Sequence, residues 1–163
     1  MNKPWFIVDV EANGPCPSLG TMTEFGCVYF DHPPFEKRFH GKGPIGPIVM
    51  KQFTLWLESI TLSRPTFWSD NPAFDWMWMN DAFHVHTHWN PFGYSARRIG
   101  DFYAGFRRDP AKSCEWKKFR VTPHDHNPVN DALGNAEALW FILGAMNANG
   151  VVEEMREALN QRP

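Results

Sequence analysis

Near its N-terminus the chain reads Trp5-Phe-Ile-Val-Asp9-Val-Glu11, an apolar run with two carboxylates at its end. A continuous apolar stretch rich in β-branched residues is a buried strand, and a buried strand needs other elements packed on it. On a strand, residues i and i+2 face the same way, so Asp9 and Glu11 share a face. Two like charges at the end of a buried strand are costly unless a cation neutralises them. The plainer alternative is a strand that simply runs out into solvent.

The rest of the chain supplies the layers. Thr23–Phe30 reads as a second strand and Phe35–Phe39 as a third, with Asp31-His-Pro-Pro turning between them. Val49, Phe53, Trp56, Leu57 and Ile60 recur at helical spacing over roughly 47–60. Pro65–Ser69 is a further strand, and Ala73–Phe83 a helix started by Asn71-Pro72. Val129, Ala132, Leu133, Ala136, Trp140 and Leu143 form the apolar stripe of a late helix that begins at Asn127-Pro128. A final short helix is expected over 151–159. Strands first, then strands interleaved with helices, predict a mixed α/β sheet with helices packed on it.

The length of 163 residues suits one domain spanning 1–163. No targeting segment or apolar stretch of membrane-spanning length is visible, and three widely spaced cysteines favour free thiols. A cytoplasmic protein with no membrane partner is therefore expected. The net charge is only −2, but it is unevenly spread. Between Arg97 and Arg120 stand eight Lys or Arg against three acids, while the remainder is acidic. A basic stretch beside an acidic cluster suits a polyanion held next to bound metal.

Asp75 falls in the first turn of the helix after Pro65–Ser69, and Asp131 in the first turn of the late helix. Either alone is simply a favourable acid at a helix N-terminus. With Asp9 and Glu11 they make four carboxylates that can converge on one sheet edge, a charge that two divalent cations balance. Oxygen ligands suit Mg²⁺ or Mn²⁺, and such a pair can activate water and stabilise a leaving phosphodiester oxygen. His126, five residues before Asp131, is placed to act as the base for that water.

Three segments resemble, in order, the motifs of the DEDDh 3′–5′ exonucleases of the ribonuclease H-like superfamily. Ile7-Val-Asp9-Val-Glu11-Ala-Asn-Gly14, followed by Glu24-Phe-Gly26-Cys-Val28, is similar to the first. Asn71-Pro-Ala-Phe74-Asp75 is similar to the second, and His126-Asn-Pro-Val-Asn-Asp131 to the third. Ile99-Gly-Asp101 stands where the family often has a strand ending in Asp. The resemblance covers roughly residues 5–143. It implies a ribonuclease H-like α/β fold with a mixed five-stranded sheet, two Mg²⁺ or Mn²⁺ ions, and release of nucleoside 5′-monophosphates from a 3′ end.

By that resemblance Asp9, Glu11, Asp75 and Asp131 hold the metals, and His126 is the base. Its spacing to Asp131 selects it over His124, which with Asp125 lies in the same loop. Ala12 and Asn13 stand where many members carry Thr residues that hold the terminal nucleotide. With Gly14, Asn71 and Phe74 they are the candidates for that contact, and Lys117 and Lys118 for the phosphate backbone. Phe74 and Trp76 either stack on bases or pack on the sheet.

The partner is nucleic acid with a free 3′ end, RNA being favoured over DNA because the chain resembles small stand-alone members such as ribonuclease T and oligoribonuclease. A homodimer is left open. A non-catalytic binding module on this fold would explain the basic stretch but not the five filled catalytic positions. A ribonuclease H-like endonuclease is disfavoured by the His-x4-Asp element. Alternating His84, His86 and His88 would hold zinc if they lay on a strand, but no cysteine or acid is suitably near, so a surface loop is expected.

Overall fold

The structure, a computed structural model, describes residues 3–160, with side chains to residue 147. Strands β1 (Trp5–Ala12), β2 (Met22–Phe30) and β3 (Arg38–Lys42) form an antiparallel meander. Helix α1 (Pro47–Ile60) leads to β4 (Thr66–Ser69), which pairs parallel to β1. Helix α2 (Pro72–Thr87) then leads to β5 (Ala96–Arg98), parallel to β4. The result is the mixed five-stranded sheet expected, in the order β3-β2-β1-β4-β5. Helix α3 (Ile99–Arg107), two short 3-10 turns (Pro110–Lys112 and Glu115–Phe119) and α4 (Pro128–Asn160) complete the chain.

Strand alternation divides the interior in two. Phe6, Val8 and Val10 pack with α1 and α2, through Phe53, Leu57, Met79 and Phe83. Ile7 faces the other way, onto Tyr103 of α3 and Ala132, Ala136 and Leu139 of α4. Asp9 and Glu11 continue the Ile7 side of the strand, so they emerge under α4. Aromatic side chains fill much of both halves: Trp68, Trp78 and Trp116 are buried, and Phe74 sits half-buried, edge-on to Trp78.

Four expectations about elements need correction. The third strand begins at Arg38, because Phe35 is buried at φ +54 within the turn and its N–H donates to His32 O. Helix α2 continues four residues past Phe83 and closes at His88 in the left-handed region. His84 and His86 are thus helical, on different faces, and cannot align as they would on a strand or belong to a loop. Ile99-Gly-Asp101 is the first turn of α3, the strand having ended at Arg98. The segment 151–159 is no separate helix, since α4 runs unbroken to Asn160. A lone Gly150 costs a helix only about 1 kcal/mol, too little to end it. No described helix is long and apolar enough to cross a membrane.

Candidate active site

The acids converge at the edge of the sheet where β1 and β4 end. A close approach makes this possible. Gly26 pairs with Asp9 in the β1–β2 register, and a Cβ there would lie 2.2 Å from Pro128 O. The missing side chain lets the first turn of α4 sit directly on β2, which carries Asp131 over Asp9. Asn127 caps that turn, its Oδ1 accepting from Val129 N at 3.1 Å.

Asp9, Glu11 and Asp131 each present a carboxylate oxygen, all within 4.8 Å of one another. Asp75 is not in that trio. It reaches the same edge from α2, and its oxygens accept from Val10 N (3.2 Å) and Asn71 N (3.3 Å). Asn71 therefore serves Asp75 through its backbone.

The electrostatics are those of an overcrowded anionic site. Asp9 is pushed from 3.8 up to about 9, first by burial and then by Asp75, Asp131 and Glu11, with Arg120 opposing. Asp75 rises to about 7, chiefly by burial. The two backbone donors and the buried Ser69 hydroxyl, which lies outside strict hydrogen-bonding geometry, pull it back only partly. Asp131 is 1% exposed; Oδ1 accepts from Asp125 N at 3.1 Å, while Oδ2 has no hydrogen-bond donor. An orphaned buried carboxylate oxygen beside two further acids is the donor set a hard divalent cation satisfies. These residues fit such an ion.

Both histidines of the loop stand at the site. His126, at φ +61 and largely exposed, has Nδ1 3.6 Å from Glu11 Oε1. His124 Nδ1 lies 2.6 Å from Asp131 Oδ2. Asp125 is committed to the loop itself: it accepts from Asn130 Nδ2 at 2.8 Å and Asn127 N at 3.0 Å, which hold its carboxyl below the ordinary range.

The remaining candidates are placed less directly. Asn13 Oδ1 is taken by Thr21, from both N–H (2.7 Å) and hydroxyl (3.1 Å), so it closes its own loop. Gly14 is needed where that loop touches itself, a Cβ falling 2.6 Å from Leu19 O. Ala12 follows a bulge at the end of β1 and packs on the α1–α2 core. Lys117 is paired with Asp70 at 2.6 Å, and Lys118 faces Glu115 at 3.7 Å.

Three contributors escaped sequence reasoning. Arg120 was counted only as part of the basic stretch, yet it is the largely buried cation that offsets Asp9 and also bonds Asn135. Thr21 just before β2 and Thr23 within it lie beside the end of β1, and Thr23 Oγ1 donates to Glu11 O at 3.0 Å. With Trp78, Asp81 and His86 they line a cavity of about 580 Å³ between β2 and α2, and Trp78 stands one turn after Asp75 on α2. Antiparallel pairing after Glu11 was the signal that would have found them. A second cavity, of about 470 Å³, adjoins Pro65 at the other end of β4, away from the acids.

No family model matches the chain. It is 30% identical, over 83% of its length and 89% of the relative's, to the 3′-5′ DNA exonuclease Cap18 of Escherichia coli. Among solved structures it resembles the nuclease domain of 3′hExo, a DEDDh family member bound to rAMP. That likeness has a TM-score of 0.69 at 14% identity, covering 88% of this chain and 92% of the other. Cell-death related nuclease 4 gives a TM-score of 0.67 at 14% identity, over 88% of this chain and 64% of that one. At such identities these two speak to the fold.

Proposed function

This chain belongs to the DEDDh 3′–5′ exonucleases of the ribonuclease H-like superfamily, and from that membership we propose that Asp9, Glu11, Asp75, Asp131 and His126 are its catalytic residues. The observation that carries the proposal is the convergence of Asp9, Glu11 and Asp131, with Asp131 Oδ2 buried and without a donor. The four acids would hold two divalent cations, Mg²⁺ or Mn²⁺, which supply Lewis-acid charge at the scissile phosphate.

The placement of the chain's side chains supports a role for each. His126, exposed at the mouth of the site beside Glu11, takes the proton from the attacking water. The cavity bordered by Thr21, Thr23 and Trp78 seats the terminal nucleoside, bringing its phosphate to the acids. The loop tied by Asn13 and Gly14 borders that cavity through Pro17 and Gly20, and Ala12, Asn71 and Phe74 are the further candidates for contact with the nucleotide. Lys117 and Lys118 exchange their carboxylate partners for backbone phosphates. The product is a nucleoside 5′-monophosphate, released one at a time from the 3′ end.

The Escherichia coli relative, 30% identical, is named a DNA exonuclease, and on that ground DNA is favoured over the RNA expected from the sequence. End-labelled RNA and DNA oligonucleotides of one sequence, single-stranded and with 3′ overhangs, test both points with Mn²⁺ present. A 3′ ladder with monophosphate products is expected; an internal cut or no digestion would overturn the reading.

A further inference from the structure

We propose that His124, His126 and Asp131 form a zinc-binding site at the mouth of the acidic cluster, sharing Asp131 with it but differing in chemistry. One ligand atom from each lies within 4.8 Å of the other two, and His124 Nδ1 is 2.6 Å from Asp131 Oδ2. Around a tetrahedral zinc with bonds of about 2.0–2.1 Å, ligand atoms stand about 3.3 Å apart, between those two limits.

The contact between His124 and Asp131 is not a hydrogen bond. Despite the 2.6 Å approach, Asp131 Oδ2 has no donor, so the imidazole N–H does not point at it. An imidazole nitrogen this close to a buried carboxylate oxygen, with no hydrogen bond between them, is a contact that a shared cation relieves. Asp131 itself is fixed, 1% exposed on the first turn of α4 with Oδ1 bonded to Asp125 N.

The loop is built without using the imidazoles. Asp125 accepts from Asn127 N and Asn130 Nδ2, and these bonds hold the turn. His126 adopts φ +61, an uncommon conformation for a residue with a Cβ, and one that persists where surrounding contacts impose it. The two rings pack edge to face, centroids 4.5 Å apart, with one nitrogen of each within 4.8 Å of an Asp131 carboxylate oxygen and His126 Nδ1 also 3.6 Å from Glu11 Oε1.

Ligand type separates this site from its neighbour. Two imidazoles and one carboxylate, open to solvent on the remaining side, are a donor set of open zinc sites. The all-oxygen trio Asp9–Glu11–Asp131 suits a hard ion instead. Among the described residues these are the two clusters able to hold a metal. Zinc at the histidines draws on Asp131 and His126, so it suppresses Mg²⁺- or Mn²⁺-supported hydrolysis. That consequence rests on the exonuclease reading; the binding itself does not.

Zn²⁺ and its coloured substitute Co²⁺ are the probes, titrated into the metal-free full chain by calorimetry and visible absorption. One zinc should bind the wild type, and Co²⁺ should show the visible bands of low-coordinate nitrogen ligation. His124→Gln and His126→Gln should each weaken zinc by more than the about 10–100-fold that loss of an outer-shell partner costs. Asp9→Asn, which disables the oxygen site, should keep zinc affinity within a few-fold. With zinc added to Mg²⁺-driven digestion, His124→Gln should lose most of the fold-inhibition measured against its own zinc-free rate. Zinc binding that survives both histidine changes but disappears in Asp9→Asn would place the ion in the carboxylate trio and overturn the proposal, as would no binding at all. Cobalt bands in a protein that digests no oligonucleotide would uphold the site and remove only its inhibitory role.

Discussion

Replacing Asp9 by Asn should stabilise the metal-free protein while abolishing hydrolysis. Burial and three neighbouring acids hold the Asp9 carboxyl at about 9, against an ordinary 3.8. Between those values the native state binds a proton that the unfolded chain has released. Stability therefore falls as pH rises across that window. At pH 7 the gap from 3.8 is roughly three pH units at about 1.4 kcal/mol each, so the cost is on the order of 4 kcal/mol. Asn has nearly the same shape, never ionises, and is spared that cost. For a chain of this size 1 kcal/mol moves Tm by about 2–4 °C, so Asp9→Asn should melt roughly 10 °C higher at pH 7 in EDTA. At pH 4 the gain should shrink below about 1 kcal/mol, because the unfolded Asp9 is then itself partly protonated. Added Mg²⁺ should raise the Tm of the wild type and barely move that of the mutant. Melting both proteins by circular dichroism from pH 4 to 8, with and without Mg²⁺, checks every part. Equal Tm values at pH 7, or a gain that does not shrink toward pH 4, would show that the acids are not crowded as described.

Gly26→Ala places a methyl 2.2 Å from Pro128 O, so α4 must lift from β2. A loss of about 1–3 kcal/mol in urea unfolding is expected, with weaker metal binding in titration calorimetry as Asp131 moves away. His126→Ala should slow turnover about 10²–10⁴-fold with metal affinity nearly kept, as single-turnover rates and calorimetry would report. Should His124→Ala be the slower variant, the base is the other histidine. The double change Lys117→Ala/Lys118→Ala should weaken oligonucleotide binding and flatten its salt dependence, read by anisotropy across a salt series. Because Lys117 must first leave Asp70, its share should be the smaller in the single mutants.

Periodicity and spacing determined much of this protein. The apolar run to Val10, the helix over 47–60, and the helix started by Asn127-Pro128 are local signals, legible because side-chain periods of 2 and 3.6 follow from backbone geometry alone. The motif order likewise pointed to Asp9, Glu11, Asp75, Asp131 and His126 before any fold was known. What local signals do not carry is partnership between distant segments. Only strand pairing set Gly26 beside Asp9 and so lowered α4 onto the sheet. Only packing turned Arg120 from one base among eight into the buried counter-charge of Asp9, and tied Lys117 to Asp70. The three histidines that alternate in sequence were dispersed by a helix that outran its expected end. Two others, unremarkable as a His-Asp-His string, were turned toward one buried carboxylate. Electrostatic energy depends on distance and burial, and both are properties of the folded chain rather than of the order of its residues.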